Sequence, residues 1–283
     1  IEAPTGKNIQ DFVEWLNMPP SQPDILSTDG KLVYMRSQPI TFEGQPLPLF
    51  KRKPGANSDQ GASAPVQIQE HAHIFSPTGF LDDSWWHRTY WLYGSEFVSG
   101  WCGYYLSGKT APSGRILVAD DENIYGFGRK PMFYKWTVPI EHQLFSASKT
   151  MPTLGPEYAK SPQGAPYAVK HNWTLDVPLF ARSMLLADDT IFIAGPEDKV
   201  DETRAFQLFG QPEVTETLKV QGRLLEDNES PGLLWAVSKT TGEKVASMPV
   251  PTKPIFDGMI AADGNIYFTT TAGGVVCLGP KTK

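Results

Sequence analysis

This sequence predicts an all-β fold assembled from repeated hairpins, and three observations carry that reading. A short acid-led phrase occurs four times: Asp29-Gly30-Lys31-Leu32-Val33-Tyr34, Asp121-Glu122-Asn123-Ile124-Tyr125, Asp188-Asp189-Thr190-Ile191-Phe192 and Asp263-Gly264-Asn265-Ile266-Tyr267. Three copies follow an apolar run, at 116–119, 184–187 and 259–262, so each reads as strand, tight acidic turn, strand. The composition agrees: 25 Gly, 25 Pro and 12% aromatic residues suit many short strands joined by irregular loops, and argue against long helices.

The intervals between the phrases are uneven, but each holds one or two units of the roughly 40–50 residues that a propeller blade needs. The expectation is a single β-propeller domain over 1–283, of about five four-stranded blades. The ring either closes within this chain or is the C-terminal part of a larger one. Two stretches rich in turn formers, 43–66 and 141–170, read as long loop insertions. Residues 8–16 have helical apolar spacing, a short helix is expected within 200–208, and a strand over 132–138.

A net charge of −6 argues against a nucleic-acid partner, and no apolar run approaches the roughly 20 residues of a membrane span. The first residue is Ile1, with neither a Met nor a signal peptide, which leads to the expectation of an exported protein, periplasmic or extracellular. Cys102 and Cys277 read either as a disulfide or as two buried thiols, the thiols being favoured.

The segment Leu234-Trp-Ala-Val-Ser-Lys-Thr-Thr-Gly-Glu-Lys-Val245 resembles the repeat of quinoprotein-like β-propellers, Ala-x-Asp-x-x-Thr-Gly-x-x-x-Trp. Ala236, Thr241 and Gly242 match, while Ser238 stands for the Asp and Ala246 for the Trp. The resemblance implies that Thr-Gly turns between the two outer strands of a blade and that the Trp position packs between blades. Residues 80–91 with 124–129 are similar to an exported, often multidomain, planctomycete-type subgroup of such propellers, which implies missing N-terminal blades. Quinoprotein dehydrogenases of this kind hold pyrroloquinoline quinone with a vicinal Cys pair, an Asp base and calcium. No Cys pair exists here, and no residue carries over to those roles.

The densest functional candidate is Asp82-Asp83-Ser84-Trp85-Trp86-His87-Arg88, continued by Tyr90. In an extended chain Trp86, Arg88 and Tyr90 share a side, an arrangement suited to stacking on a sugar or flat ring, and Arg129 joins this set through the subgroup motif. The alternative is structural, with the Trp residues wedged between blades and an Arg–Asp pair tying hairpins together. His71 and His73 are spaced to place both rings on one side of a strand, and are the metal candidates, with Glu70, Asp82 and His87 as further ligands. Asp120-Asp121 and Asp188-Asp189 resemble catalytic acid pairs, but their recurrence in the hairpin phrase points to turn capping.

The function expected is a non-catalytic binding or scaffolding module that works with other protein chains or with its own missing blades, and carbohydrate is a candidate ligand. No cofactor is expected. The alternative is an enzyme, either a quinoprotein oxidoreductase or a carbohydrate-active propeller using residues 82–91, for which pyrroloquinoline quinone or a divalent metal would be the cofactor.

Overall fold

The computed structural model describes residues 26–35, 38–47, 71–76, 91–94, 108–130, 141–154, 156 and 166–280. As far as they are described, residues up to 117 and 147–170 form one compact unit, and 118–146 and 171–280 form another. The expected helix at 8–16, the strand at 132–138 and most of the loop at 43–66 lie outside the described residues.

In the first unit, β1 (Leu26–Thr28), β2 (Val33–Met35) and β3 (Gln38–Ile40) form an antiparallel meander. A second meander follows from β4 (His73–Phe75), β5 (Trp91–Gly94) and β6 (Ser113–Gly114). The leading strands β1 and β4 lie side by side. Tyr34 is fully buried and stacks on the His73 ring at 3.7 Å, while Phe75, Leu92 and Ala111 form a small core.

Three more meanders follow, lying mostly in the second unit. The first comprises β7 (Ile116–Ala119), β8 (Asn123–Arg129), β9 (His142–Ser148) and β10 (His171–Leu175), in sheet order β10-β9-β8-β7. The next comprises β11 (Ser183–Ala187), β12 (Thr190–Gly195), β13 (Gly232–Ser238) and β14 (Lys244–Val250), also in simple order. The last has three strands, β15 (Pro254–Ala262), β16 (Asn265–Thr270) and β17 (Val275–Leu278). The described residues are therefore mostly β, in five antiparallel sheets of three or four strands.

All four acid-led phrases turn hairpins, by two mechanisms. Asp263 (φ 51°) and Gly264 (φ 72°) are both left-handed, as a two-residue type I′ turn requires, and Asp188 (φ 49°) opens the short turn at 188–189. The other two hairpins use longer turns clamped by a carboxylate. Asp29 Oδ1 accepts from the N–H groups of Lys31 and Leu32, and Tyr34 Oη donates to Asp29 Oδ2. Asp120 repeats this with Glu122, Asn123 and Tyr125. The residue equivalent to Asp29 is thus Asp120, one position before the Asp121 that the sequence alignment selects.

Leading strands are again adjacent, with β11 beside β15. Ser183 Oγ donates to the Ile255 carbonyl and accepts from the Gly258 N–H, and the Asp257 N–H donates to the Arg182 carbonyl. One face of β15–β17 packs on one face of β11–β14: Met259 and Phe268 join Ala194, Leu234 and Val250 in a core that Ile266, Val276, Leu278, Leu185 and Phe192 extend.

Two expectations are corrected. Residues 142–148 are not loop but the interior strand β9, whose Gln143 and Ser146 are as buried as Leu144 and Phe145, so polar residues masked its strand pattern. Arg129, singled out in the sequence, ends β8 as a buried side chain. A 15-residue helix also exists: between β12 and β13 the chain forms α1 (Glu202–Gln207), within the expected 200–208, and then α2 (Pro212–Glu226). Pro212 opens α2 at a position where a missing N–H costs nothing. Val214 and Gln221 are its buried residues, and the Gln221 amide bonds Lys199 N–H and the Glu197 carbonyl. A polar residue on the inner stripe hid that stripe from a hydrophobicity reading.

The C-terminus of α2 is held by one side chain. Lys253 is 1% exposed, and its Nζ donates to the carbonyls of Leu224, Leu225 and Asp227 at 2.6–2.8 Å. A cation there satisfies terminal carbonyls and meets the negative end of the helix dipole. Lys253→Met leaves those carbonyls without this donor. Equilibrium denaturation should report a loss of roughly 1.5–3 kcal/mol, the range for hydrogen bonds to a charged group. A loss within experimental error would refute the clamp.

Candidate functional site

Where the Asp120 turn, the adjoining strands and the β13–β14 turn meet, the second unit has a polar cleft of about 500 Å³. The turn itself contributes Asp120, Asp121, Glu122 and Asn123; β9 contributes Ser146, β10 Asn172, and the β13–β14 turn Lys239. These groups hold one another. Asn172 Nδ2 donates to Asn123 Oδ1 at 2.9 Å and to Ser146 Oγ at 3.1 Å. Lys239 Nζ lies 3.4 Å from both Asp120 Oδ2 and Asp189 Oδ1, joining the tips of two successive hairpins.

Behind the cleft, Trp173 Nε1 donates to the Lys239 carbonyl at 2.9 Å. Its indole lies so close to Gly242 (φ 75°) that a Cβ there would approach ring carbons to 2.7 Å. Only glycine combines that backbone conformation with that approach. Gly242, with Thr241, forms the turn between β13 and β14, so an indole from the preceding sheet seats on the Thr-Gly turn of the next.

The electrostatics follow from these contacts. Burial would raise the Asp120 pKa, but the N–H groups of Asn123 and Glu122, the Tyr125 hydroxyl and Lys239 outweigh it and hold the carboxyl below its ordinary value. Burial and the bond to Asp120 push Tyr125 up to about 12. For Lys239, slight desolvation is outweighed by the Asp189 and Asp120 carboxylates, which raise its pKa. The cleft thus presents a fixed carboxylate, a fixed ammonium and an amide pair. Asn172 Oδ1 lies toward the cleft as an acceptor, beside the exposed Asp121 and Glu122, while the Asn123 side chain is also hydrogen-bonded to Tyr125.

A second cluster lies at the start of α1. Glu141 Oε1 accepts from the Glu202 and Thr203 N–H groups at 2.8 and 3.4 Å, and Asp198 is close by. Burial, then hydrogen bonding to Glu141, raises Glu202 to about 9. Burial also raises Asp198, against the opposing Val200 N–H bond. Glu202 therefore keeps its proton at neutral pH.

Of the residues singled out in the sequence, Asp82, Asp83, Trp85, Trp86, His87, Arg88 and Tyr90 lie outside the described residues, as does Cys102. Cys277 is an exposed free thiol, not a buried one. His71 and His73 do not share a strand. His71 (φ 61°) sits in a left-handed turn before β4, and His73 is buried between Tyr34 and Phe75 with Nδ1 2.6 Å from the His71 carbonyl oxygen. Among the described residues no three His, Cys, Asp or Glu side chains gather as a metal site. No helix among them is long and apolar enough to cross a membrane.

Sequence reasoning missed Asn123, Ser146, Asn172 and Lys239. The five-residue Asp-to-Tyr spacing shared by Asp29/Tyr34 and Asp120/Tyr125 would have flagged the turn, but nothing local marks Lys239 or Asn172. No protein-family model matches the chain, and no curated protein shows significant similarity to it.

Two pH dependences follow, with opposite signs. Because the folded Asp120 pKa is depressed, its contribution is present above the ordinary carboxylate range and is lost as pH falls through the folded value. Asp120→Asn should flatten the acid limb of the stability–pH curve, and an unchanged limb would show that the clamp contributes nothing. Because folded Glu202 holds a proton up to about 9 against an ordinary 4.5, its ionisation costs stability as pH rises between those values. Glu202→Gln should remove that downward slope in denaturation melts, and a slope equal to wild type would refute the assignment.

Proposed function

We propose that this chain is a binding and scaffolding module built as a β-propeller of quinoprotein-like repeats. It works outside the cytoplasm, joined to other protein chains or to further blades. The observation that carries the reading is the sheet order. Among the described residues five short meanders follow one another along the chain, and at two junctions the leading strands of successive sheets are neighbours, β1 with β4 in one unit and β11 with β15 in the other. A radial array of blades requires that adjacency. The Trp173 indole on the Thr241-Gly242 turn supports it, since the quinoprotein-like repeat reserves a Trp for packing between blades.

Binding is favoured over catalysis by how the cleft groups are engaged. Asp120 and Lys239 neutralise each other, and the Asn123–Asn172–Ser146 chain is internally bonded, which gives fixed donors and acceptors for recognition. A sugar or the polar surface of a partner protein suits such a lining.

Electron microscopy of the purified protein, together with its absorption spectrum, tests this. The expected outcome is radial sheets around an axis and no absorption beyond that of the aromatic side chains. Two sheets packed as one sandwich would overturn the architecture. A bound quinone or haem band would overturn the non-catalytic reading and favour an oxidoreductase.

A further inference from the structure

The polar cleft at the Asp120 turn is unbalanced in two respects, charge and hydrogen-bonding capacity. Its lining holds three carboxylates, Asp120, Asp121 and Glu122, against one ammonium, Lys239. That ammonium is shared with a further carboxylate, Asp189, at 3.4 Å. The cleft is net negative even with its ion pair intact, so it repels an anionic ligand such as a phosphate or a uronic acid.

Hydrogen-bonding capacity leans the same way. The Asn172 amide nitrogen is turned to Asn123 Oδ1 and Ser146 Oγ, and Lys239 Nζ to Asp120 and Asp189. The Tyr125 hydroxyl donates to Asp120 and is bonded by the Asn123 side chain. These donors are directed at partners within the protein. What is left for a ligand is acceptors: the exposed Asp121 and Glu122 carboxylates and Asn172 Oδ1. The hydroxyls of Ser146 and Thr240 serve in either role. A complementary ligand brings positive charge and several donors.

A metal ion and an organic cation both carry positive charge, and the layout separates them. Among the described residues no three His, Cys, Asp or Glu side chains gather as a metal site. The carboxylates are spread along the lining, not converged on a point. A guanidinium suits that layout, because its five N–H donors form a planar fork that reaches more than one acceptor. An ammonium concentrates its charge at one atom. A sugar brings no charge, and each of its hydroxyls accepts as well as donates. The cleft volume of about 500 Å³ is that of a small-ligand site and admits a whole side chain.

We infer that this cleft receives an arginine side chain presented by a partner protein. The guanidinium pairs with Asp121 and Glu122 and donates to Asn172 Oδ1. The bonds made by Lys239 and Asn172 hold the lining in place before the arginine arrives, which lowers the cost of ordering it. The inference rests on the reading of the chain as a binding module, but the two fail separately. A neutral sugar seated in the cleft would end this inference and keep the module. A bound quinone would end the non-catalytic reading, and the titration below would still decide this one.

The probe is a pentapeptide with both ends capped, in which one arginine is flanked by glycines. It is titrated into the full chain and followed by nitrogen-15 NMR. Saturable shifts are expected at the backbone amides of residues 121–123 and at the Asn172 side-chain amide. Replacing the arginine with citrulline, which has the same shape without the charge, should weaken binding at least about tenfold. Lysine in its place should bind about threefold more weakly or worse. The double variant Asp121→Asn, Glu122→Gln, at exposed positions of the turn, should also lose about tenfold or more. Glu216→Gln removes an equally exposed carboxylate on α2 and should leave binding unchanged. No shifts at millimolar peptide, or citrulline binding as well as arginine, overturns the inference. So does an equal loss on Glu216→Gln, which would mean attraction to the whole acidic surface. Neutral oligosaccharides that shift the same amides, where the arginine peptide does not, would overturn it in favour of a sugar site.

Discussion

A meander of three or four short strands has two faces, and nothing within the meander can bury either of them. That constraint shapes the second unit. The β15–β17 sheet becomes stable only where Met259, Phe268, Ile266, Val276 and Leu278 find Leu234, Val250, Ala194, Leu185 and Phe192 on the neighbouring sheet. Each buried side chain of this size is worth about 1.5–3 kcal/mol against exposure, so a few of them outweigh what any single turn contributes. Sheets that must stack to be stable also must begin in step. The bonds from Ser183 Oγ to Ile255 and from Gly258 to Ser183 do this, because they join the leading strands before the faces diverge.

Turns decide where each sheet starts, and here the acids act structurally. Asp29 and Asp120 each neutralise two backbone donors and a tyrosine hydroxyl with one carboxylate. The tyrosine is buried in both cases, so the clamp ties the solvent-facing turn to the core. The same geometry lowers the carboxyl pKa and raises the phenol, which keeps both groups in the state the turn needs across the physiological range. A carboxylate already accepting three hydrogen bonds is a poor general base. The acid pairs that look catalytic in the sequence are therefore better explained as architecture.

What could be read in advance follows from which signals are local. The hairpins were legible because a tight turn needs particular residues at particular positions, and those residues recur. Their register was off by one at the second hairpin, since the doublet Asp120-Asp121 offers two acids and only the distance to Tyr125 tells them apart. Strand β9 was not legible: an interior strand covered on both sides has no polar face, and its buried Gln143 and Ser146 break the remaining pattern. Helix α2 escaped for a related reason, because Gln221 occupies the centre of its inner stripe to bond the Lys199 and Glu197 backbone. The cleft was least legible of all. Asn172 and Lys239 reach it from strands and turns far apart in sequence, and no short-range pattern records a meeting set by sheet stacking.

The insertion of α1 and α2 between β12 and β13 shows how a repeat scaffold tolerates added structure. An inserted helix pair would pull on the two central strands of its sheet unless it were anchored where it leaves and where it returns. Gln221 anchors the departing segment through Lys199 and Glu197, and Lys253 anchors the return through three carbonyls at the C-terminal end of α2. Lys253 sits just before β15, and its own N–H donates to the Ser230 carbonyl just before β13. One residue therefore ties the insertion's end to the starts of strands in two sheets. Burying a lysine is costly without such partners, and here the helix C-terminus supplies them at the point where the stack must not shift. The insertion is held as part of the stack's own geometry, which is why strands β12 and β13 on either side of it keep an unbroken antiparallel register from Thr190 to Gly195.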